Sequence, residues 1–353
     1  MEHTEKPRYY FAAMNTANGF CGKFKEIFGE VQELYIIKGG PGTGKSRFIS
    51  EMGKKAEEQG RSVEYFFCSS DPRSLDGVIF TDHSGTGRIG IIDGTAPHSY
   101  EPVTPGAKDK ILNFGEFWNE NELSPARELI SALGEAKSEL YSSAYSYLGA
   151  IGRLDSVTEG YMLRTVNLPK MNSAVERLLR GLPTGSGYHE TLRIRSAISC
   201  DGTVTLETYS QFSPHNYAIL DRFFAANTFM KALKARLTEL RQPVVISYSP
   251  FFPDTPDAIY VPGGDMSFYI GSEGGAEEKT VNMRRFTAEE HFAPYKPKLR
   301  AISRARRELL TLLHTDMTCI RNIHSEIEEI YISAMDFVKK EEFTRAMAQK
   351  IFG

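Results

Sequence analysis

The chain has 353 residues, of which 41% are hydrophobic and 25% charged, with a net charge of −3. That is enough apolar material for two ordinary domains, and the near-neutral balance gives no basis for a general nucleic-acid surface. No apolar run approaches the ~20 residues that span a bilayer, and the polar start, residues 1–6, lacks the character of a signal peptide. Cys21, Cys68, Cys200 and Cys319 form no C-x-x-C pair. This argues against a zinc site and fits free thiols in a reducing compartment, so the expectation is a cytoplasmic protein.

The first informative element is an apolar strand pattern, Leu34, Tyr35, Ile36 and Ile37, running into Gly39, Gly40, Pro41, Gly42, Thr43, Gly44, Lys45 and Ser46. Those eight residues match G-x-x-x-x-G-K-[ST] in full. A helical spacing follows, with Phe48, Ile49, Met52 and Ala56 on one face. Strand, glycine loop and helix is the context in which this motif binds nucleotide phosphate. The glycines open conformations closed to other residues and remove side chains that would obstruct the anion. Successive N–H groups then converge at a helix N-terminus, where the dipole is positive. Residues 39–46 and the adjoining Arg47 are the candidate ATP-binding residues. Lys45 is placed for the β- and γ-phosphates, and the Ser46 hydroxyl for Mg²⁺. A dinucleotide loop is a poor alternative, because Arg47 stands where the last glycine of G-x-G-x-x-G would fall.

Gly60 ends the helix, and Val63, Glu64, Tyr65, Phe66, Phe67 and Cys68 read as a buried strand. Ser69, Ser70, Asp71, Asp76 and Gly77 follow. At a strand's carboxyl end Ser69, Ser70, Asp71 and Asp76 are candidate active-site groups, although turn chemistry alone would also select them. Residues 88–93 form a second apolar strand ending in Asp93, a candidate Mg²⁺ ligand and catalytic carboxylate that could equally be a plain strand terminator. His98 is either a phosphate or substrate contact or a structural turn residue. Gly94 occupies the place where many ATP motors carry a water-orienting Glu. A general base, if there is one, must then come from elsewhere, with Asp71 or Asp76 the nearest candidates, and slow hydrolysis or transfer to another acceptor fits better than motor turnover.

Residues 121–182 carry a helical pattern, and 183–187 read as a linker. A shift of 182 then superimposes the second half on the first: Tyr35 meets Tyr217, Ile37 meets Ile219, Ser46 meets Thr228 and Val63 meets Val245. After one residue of slippage Asp76 meets Asp257. In this alignment Asp221, Arg222, Phe224 and Ala226 replace the loop glycines, Asn227 replaces Lys45, and Ile270 replaces Asp93. The expectation is an α/β protein: a P-loop NTPase domain with a mostly parallel sheet (residues 1–185), then a degenerate copy without phosphate chemistry (186–353). Arg222 is a candidate cation supplied by the copy to the first site, with plain packing of the copy on the first half as the alternative.

Three groups of residues in the first half stand together in this order: 11–20 with 38–46; Cys68, Ser69, Ser70, Asp71 and Pro72 with Leu75, Asp76, Gly77 and Val78; and Asp93, Gly94, Thr95, Ala96, Pro97 and His98. With a closing segment at 330–337, they resemble an uncharacterised bacterial family of two-domain proteins described as P-loop ATPase-like or nucleotide-kinase-like. The resemblance implies ATP binding and names no substrate. Some members keep a second phosphate loop, from which this chain departs. The expected activity is Mg²⁺-dependent ATP hydrolysis or phosphoryl transfer, with Lys45, Asp93 and Asp71 as catalytic candidates. The rivals are a small-molecule or nucleotide kinase and an ATP-dependent switch that acts through a protein partner.

Overall fold

The run Leu34, Tyr35, Ile36 and Ile37 is buried on both faces, as a strand inside a covered, largely parallel sheet must be. In a computed structural model describing residues 6–271 and 279–353, it forms β4, Glu33–Lys38. Residues 1–5, most of the polar start, lie outside the described residues. Around β4 the first half contributes β1 Arg8–Phe11, β5 Val63–Phe67, β6 Leu75–Thr81, β7 Arg88–Asp93 and β8 Asp109–Asn113, in the sheet order β1-β5-β6-β7-β4-β8. A hairpin, β2 Ala13–Thr16 with β3 Gly19–Gly22, leads into the short helix α1, Phe24–Phe28. The pairs β1/β5, β4/β7 and β4/β8 are parallel, whereas β6 runs antiparallel to both neighbours. The sheet is therefore mixed. Asp76 and Gly77, open to a turn reading from their residue types, lie inside β6.

The second half builds the same sheet. Its strands are β9 Glu190–Leu192, β10 Ser196–Ser199, β11 Gly202–Thr205, β12 His215–Leu220, β13 Val244–Tyr248, β14 Pro256–Val261, β15 Met266–Gly271 and β16 Lys279–Asn282. Read from its far edge, the order is β9-β13-β14-β15-β12-β16, with the same parallel and antiparallel pairings. The repeat is thus a repeat of topology.

Helix α2, Lys45–Glu58, buries Phe48, Ile49, Met52 and Ala56, the face its spacing predicts. Gly53 is needed where α2 meets β5, since a Cβ there would stand 2.3 Å from the Tyr65 ring. Beyond the sheet come a single turn α3, Glu120–Leu123, the 37-residue α4, Arg127–Leu163, and α5, Leu168–Leu178. The second half supplies the counterparts α6 Ala225–Glu239, α7 Glu289–Phe292, α8 Lys296–Ser333 and α9 Phe337–Phe352. Helices α4 and α8 are antiparallel partners about 55 Å long. Lys137 meets His324, Asp155 meets Arg306 and Tyr161 meets Tyr295, around an apolar seam of Ala144, Leu148, Ile151, Leu313, Met317 and Ile320.

The long helices carry their successors to the opposite half. Met171, Ala174 and Val175 of α5 lie in one cluster with Phe229, Met230 and Leu233 of α6. Met347, Ala348 and Ile351 of α9 lie with Phe48, Ile49 and Met52 of α2. Matched backbone bonds anchor the crossings: Asn167 N–H donates to Phe286 O and Asp336 N–H to Phe117 O, each at 2.8 Å. The apolar cores therefore cross residue 185 in both directions. The inner sheet faces share a third cluster, in which Ile36, Phe66 and Ile92 join Ala218, Ala258 and Tyr269. The Glu64 carboxylate, buried beside this cluster, takes Arg193 of the second half at 2.8 and 3.1 Å.

This exchange has a local signature. Met171→Ala and Met347→Ala should each cost about 2–5 kcal/mol through the cavity they leave. Hydrogen exchange should then rise mainly in α6 for Met171→Ala and mainly in α2 for Met347→Ala. The opposite pairing would mean that each terminal helix packs on its own half.

Candidate phosphate site

The glycine loop spans the end of β4 and the start of α2, and its path depends on two left-handed residues, Gly42 (φ +71°) and Gly44 (φ +78°). Close packing also constrains two further glycines. A Cβ on Gly39 would stand 2.9 Å from Phe114 Cβ, and one on Gly40 3.1 Å from the Trp118 ring. The outer side of the loop rests on the end of α8, where a Cβ on Gly42 would meet Glu328 O at 2.7 Å. Pro41 stands half-buried at the tip. Thr43 is fully buried and donates to Gly40 O at 2.9 Å. Arg47 is exposed; it pairs with Glu51 at 2.8 Å and approaches Glu341 of α9 at 3.6 Å.

Lys45 and Asp93 come together. The Lys45 ammonium donates to Gly39 O (2.9 Å) and Gly40 O (2.6 Å) and stands 3.6 Å from Asp93 Oδ2. Asp93 reaches this point because β7 lies beside β4, with Ile37 paired to Asp93. Its Oδ1 accepts from Thr95 N (2.9 Å), and Thr95 Oγ1 donates to Gly39 O (2.8 Å). Thr95 thus ties the loop to the carboxylate, a role its bare sequence position does not announce. Gly94 has a packing reason: a Cβ would fall 2.4 Å from Ile36 Cγ2. Ser46 Oγ accepts from Leu75 N at 2.8 Å, which docks the helix start on β6. Asp93 Oδ2 and the Ser46 hydroxyl are hard oxygen donors of the kind Mg²⁺ takes.

The two base candidates part company. Burial opposes the charge of Asp71, but Arg73 outweighs it and holds the carboxyl below its usual range. Arg73 binds both oxygens at 2.7 and 2.5 Å. Asp76 is the contrary case. It is 4% exposed, and its Oδ2 has no hydrogen-bond partner. Gly77 pairs with Ile92, so Asp76 and Asp93 are the next neighbours across β6 and β7. Burial raises its pKa to about 6; His98 opposes this and Asp93 adds to it. His98 Nε2 stands 3.3 Å from Asp76 Oδ2, its ring packed between Phe20 and Phe24. His98 is thereby a largely enclosed neighbour of Asp76, close enough to offset its charge without a hydrogen bond. Cys68, Asp76 and His98 bring ligand atoms within 4.8 Å of one another, as do Asp71, Cys200 and Asp201. In the first group burial pushes the Cys68 thiol up, away from the thiolate a metal would bind. In the second, Arg73 and Arg321 already neutralise the carboxylates.

Beside the strand ends, α4 and α8 add a polar wall. Tyr141 meets Ser70 Oγ at 3.3 Å, Tyr145 donates to Asn15 Oδ1 at 3.0 Å, and Lys137 meets His324 at 3.5 Å. Burial, with Lys137 nearby, pushes the His324 pKa down. Ser69, by contrast, is buried with its hydroxyl unpartnered.

The second loop is closed from within. Asp221 takes the backbone N–H of Phe224 and of Ala226 on its two carboxylate oxygens, each at 2.9 Å. A side-chain anion thus occupies amides at the N-terminus of α6. Phe223 and Phe224 hold positive φ angles of 51° and 67°, a strain of order 1 kcal/mol each. The buried face of α6 matches that of α2 at a shift of 181: Phe48 with Phe229, Ile49 with Met230, Met52 with Leu233. The one-residue slip therefore falls inside the loop, and the counterpart of Lys45 is Ala226 rather than Asn227. Arg222 stays in its own half, bonded to Thr287 (3.0 Å) and Glu289 (2.9 Å) across the Phe292 ring. Ile270 stands in register where Asp93 stands, each beside its central strand.

The Asp76 environment makes a signed prediction. Its folded pKa of about 6 lies above the ~3.9 of an unfolded Asp, so the folded chain holds a proton that the unfolded chain releases. The resulting stabilisation is complete below pH ~4 and is lost as pH rises through ~6. Asp76→Asn lacks this term. Relative to wild type it should gain on the order of 2 kcal/mol between pH 4 and pH 7 in urea unfolding. Parallel pH profiles would contradict the assignment.

No protein-family model, curated protein or solved structure matches the chain.

Proposed function

We propose that this chain binds ATP with Mg²⁺ on residues 39–46 and couples it to hydrolysis or phosphoryl transfer, in the manner of the two-domain ATPase-like proteins its motifs resemble. One observation carries the reading: a left-handed glycine loop, the N-terminus of a 14-residue helix, Lys45 and Asp93 converge at one point. Backbone N–H groups at such a terminus bind phosphate. Lys45 exchanges the carbonyls of Gly39 and Gly40 for phosphate oxygens. Ser46 and Asp93 are the residues that hold Mg²⁺, which when bound neutralises charge on the transferring phosphoryl group. Asp76, near pKa 6 and beside Asp93, accepts the nucleophile's proton; Asp71, bound by Arg73, does not. A cytoplasmic setting suits four free thiols. Among the described residues no helix is long and apolar enough to cross a membrane.

A second reading, transfer to a small-molecule acceptor, is favoured by the polar wall of Asn15, Ser70, Tyr141 and Tyr145 at the strand ends. Turnover measured with and without nucleosides and nucleotides separates the two, since only an acceptor reaction yields a phosphorylated product.

Mg-ATP at 100 times its dissociation constant should add ~2.7 kcal/mol, a rise in melting temperature of roughly 3–5 °C for a chain of this length. Lys45→Ala should lose most of it. An equal rise in the variant would remove the loop from the site. Asp93→Asn should lower Mg²⁺-dependent turnover and spare metal-free nucleotide binding. Unchanged turnover across a Mg²⁺ titration would exclude Asp93.

A further inference from the structure

Lys340 is a buried cation that neither the fold nor the reading above uses. It sits in the first turn of α9, the helix that crosses from the second half to cover α2. Its side chain is 1% exposed, and its ammonium is 3.7 Å from the Glu341 carboxylate, beyond hydrogen-bond reach. Such burial of a loosely paired charge is costly. What Lys340 faces is the glycine loop: a Cβ on Gly44 would lie 3.4 Å from Lys340 Cε and 3.7 Å from its Nζ.

The repeat supplies an internal control. Asn167 and Asp336 cap α5 and α9 in the same way, each accepting from the backbone N–H three residues on. Met171 N–H and Lys340 N–H then bond back to those caps. Met171 is therefore the counterpart of Lys340. It is fully buried in one apolar cluster with Ala225 and Ala226, at the start of α6. In the half whose loop is closed by Asp221 the crossing helix presents a thioether. In the half whose loop is open it presents an ammonium. A purely structural role would be served by Met in both.

We propose that Lys340 is a ligand of the bound nucleotide's phosphate chain, delivered by the chain's last helix, so that the first half's site is complete only with the second half docked upon it. This rests on the ATP reading. The Gly44 amide belongs to the part of the loop that cradles the α- and β-phosphates, whereas Lys45 reaches the β- and γ-phosphates. Lys340 accordingly serves ADP as well as ATP.

Calorimetric titration of the full chain with Mg-ATP and Mg-ADP tests this, using wild type, Lys340→Met and Lys340→Arg. The Met variant should bind both nucleotides about tenfold or more weakly, the loss of one charge-assisted contact. Its nucleotide-free melting temperature should equal or exceed that of wild type, and the Arg variant should recover most of the affinity. Wild-type affinity in Lys340→Met would overturn the inference while leaving the ATP reading intact. Weak binding accompanied by a lower nucleotide-free melting temperature, with no recovery in Lys340→Arg, would make Lys340 a packing residue and also overturn it. A wild-type chain that binds neither nucleotide would withdraw the ATP reading and this inference together.

Discussion

The apolar face of α2 turned away from its sheet is covered by α9, a helix that reaches it only by way of the 38-residue α8. Much of the first site follows from this crossing. The end of α8 supports the glycine loop from outside, and the start of α9 brings Glu341 and Lys340 to the helix N-terminus. The reciprocal crossing of α5 covers α6. Each half buries one side of its loop helix on its own sheet and leaves another side to the crossing helix, so separation of the halves would uncover Phe48, which packs on Phe343 of α9. The buried Glu64–Arg193 pair strengthens the same joint: leaving either charge alone in the interior costs far more than the pair contributes.

The repeat shows how one backbone arrangement supports two outcomes. Both halves direct a strand into a left-handed residue and then a helix, and in both the amides at the helix start require an anion. The second half answers with Asp221. The first half has no acidic residue within its loop, and Lys45 rests on loop carbonyls. The electrostatics of a helix N-terminus are thus met by a loop carboxylate on one side and by no side chain of the loop on the other. The surrounding charges follow suit, with Asp93 and Lys340 on the open side and Ile270 and Met171 on the closed side.

Much of the sheet and the loop was legible in the sequence, for reasons that are local. The run 34–37 and residues 88–93 are neighbouring strands buried on both faces, which need no alternation, and the glycine spacing fits the loop between strand and helix. Strand β6 was harder, because Asp76 and Gly77 are turn formers by type and only their strand neighbours hold them extended. The one-residue slip is visible in the sequence but falls too late there, after Val63, since weak identities at a shift of 182 mask a helix face that matches at 181. The crossing of α5 and α9 could not be read at all. An amphipathic face says that a helix is covered, not by which half. For the same reason Lys340 carried no signal: in sequence it is one lysine of a charged terminal helix, and its partner loop lies about 300 residues away.

The most direct measurement is a crystal structure of the full chain with Mg²⁺ and a non-hydrolysable ATP analogue. The account requires the phosphates on the amides of residues 39–46, the metal between Ser46 and Asp93, and no nucleotide on the loop closed by Asp221. An analogue bound at the second loop, or one seated elsewhere with Lys45 still on the carbonyls of Gly39 and Gly40, would contradict it.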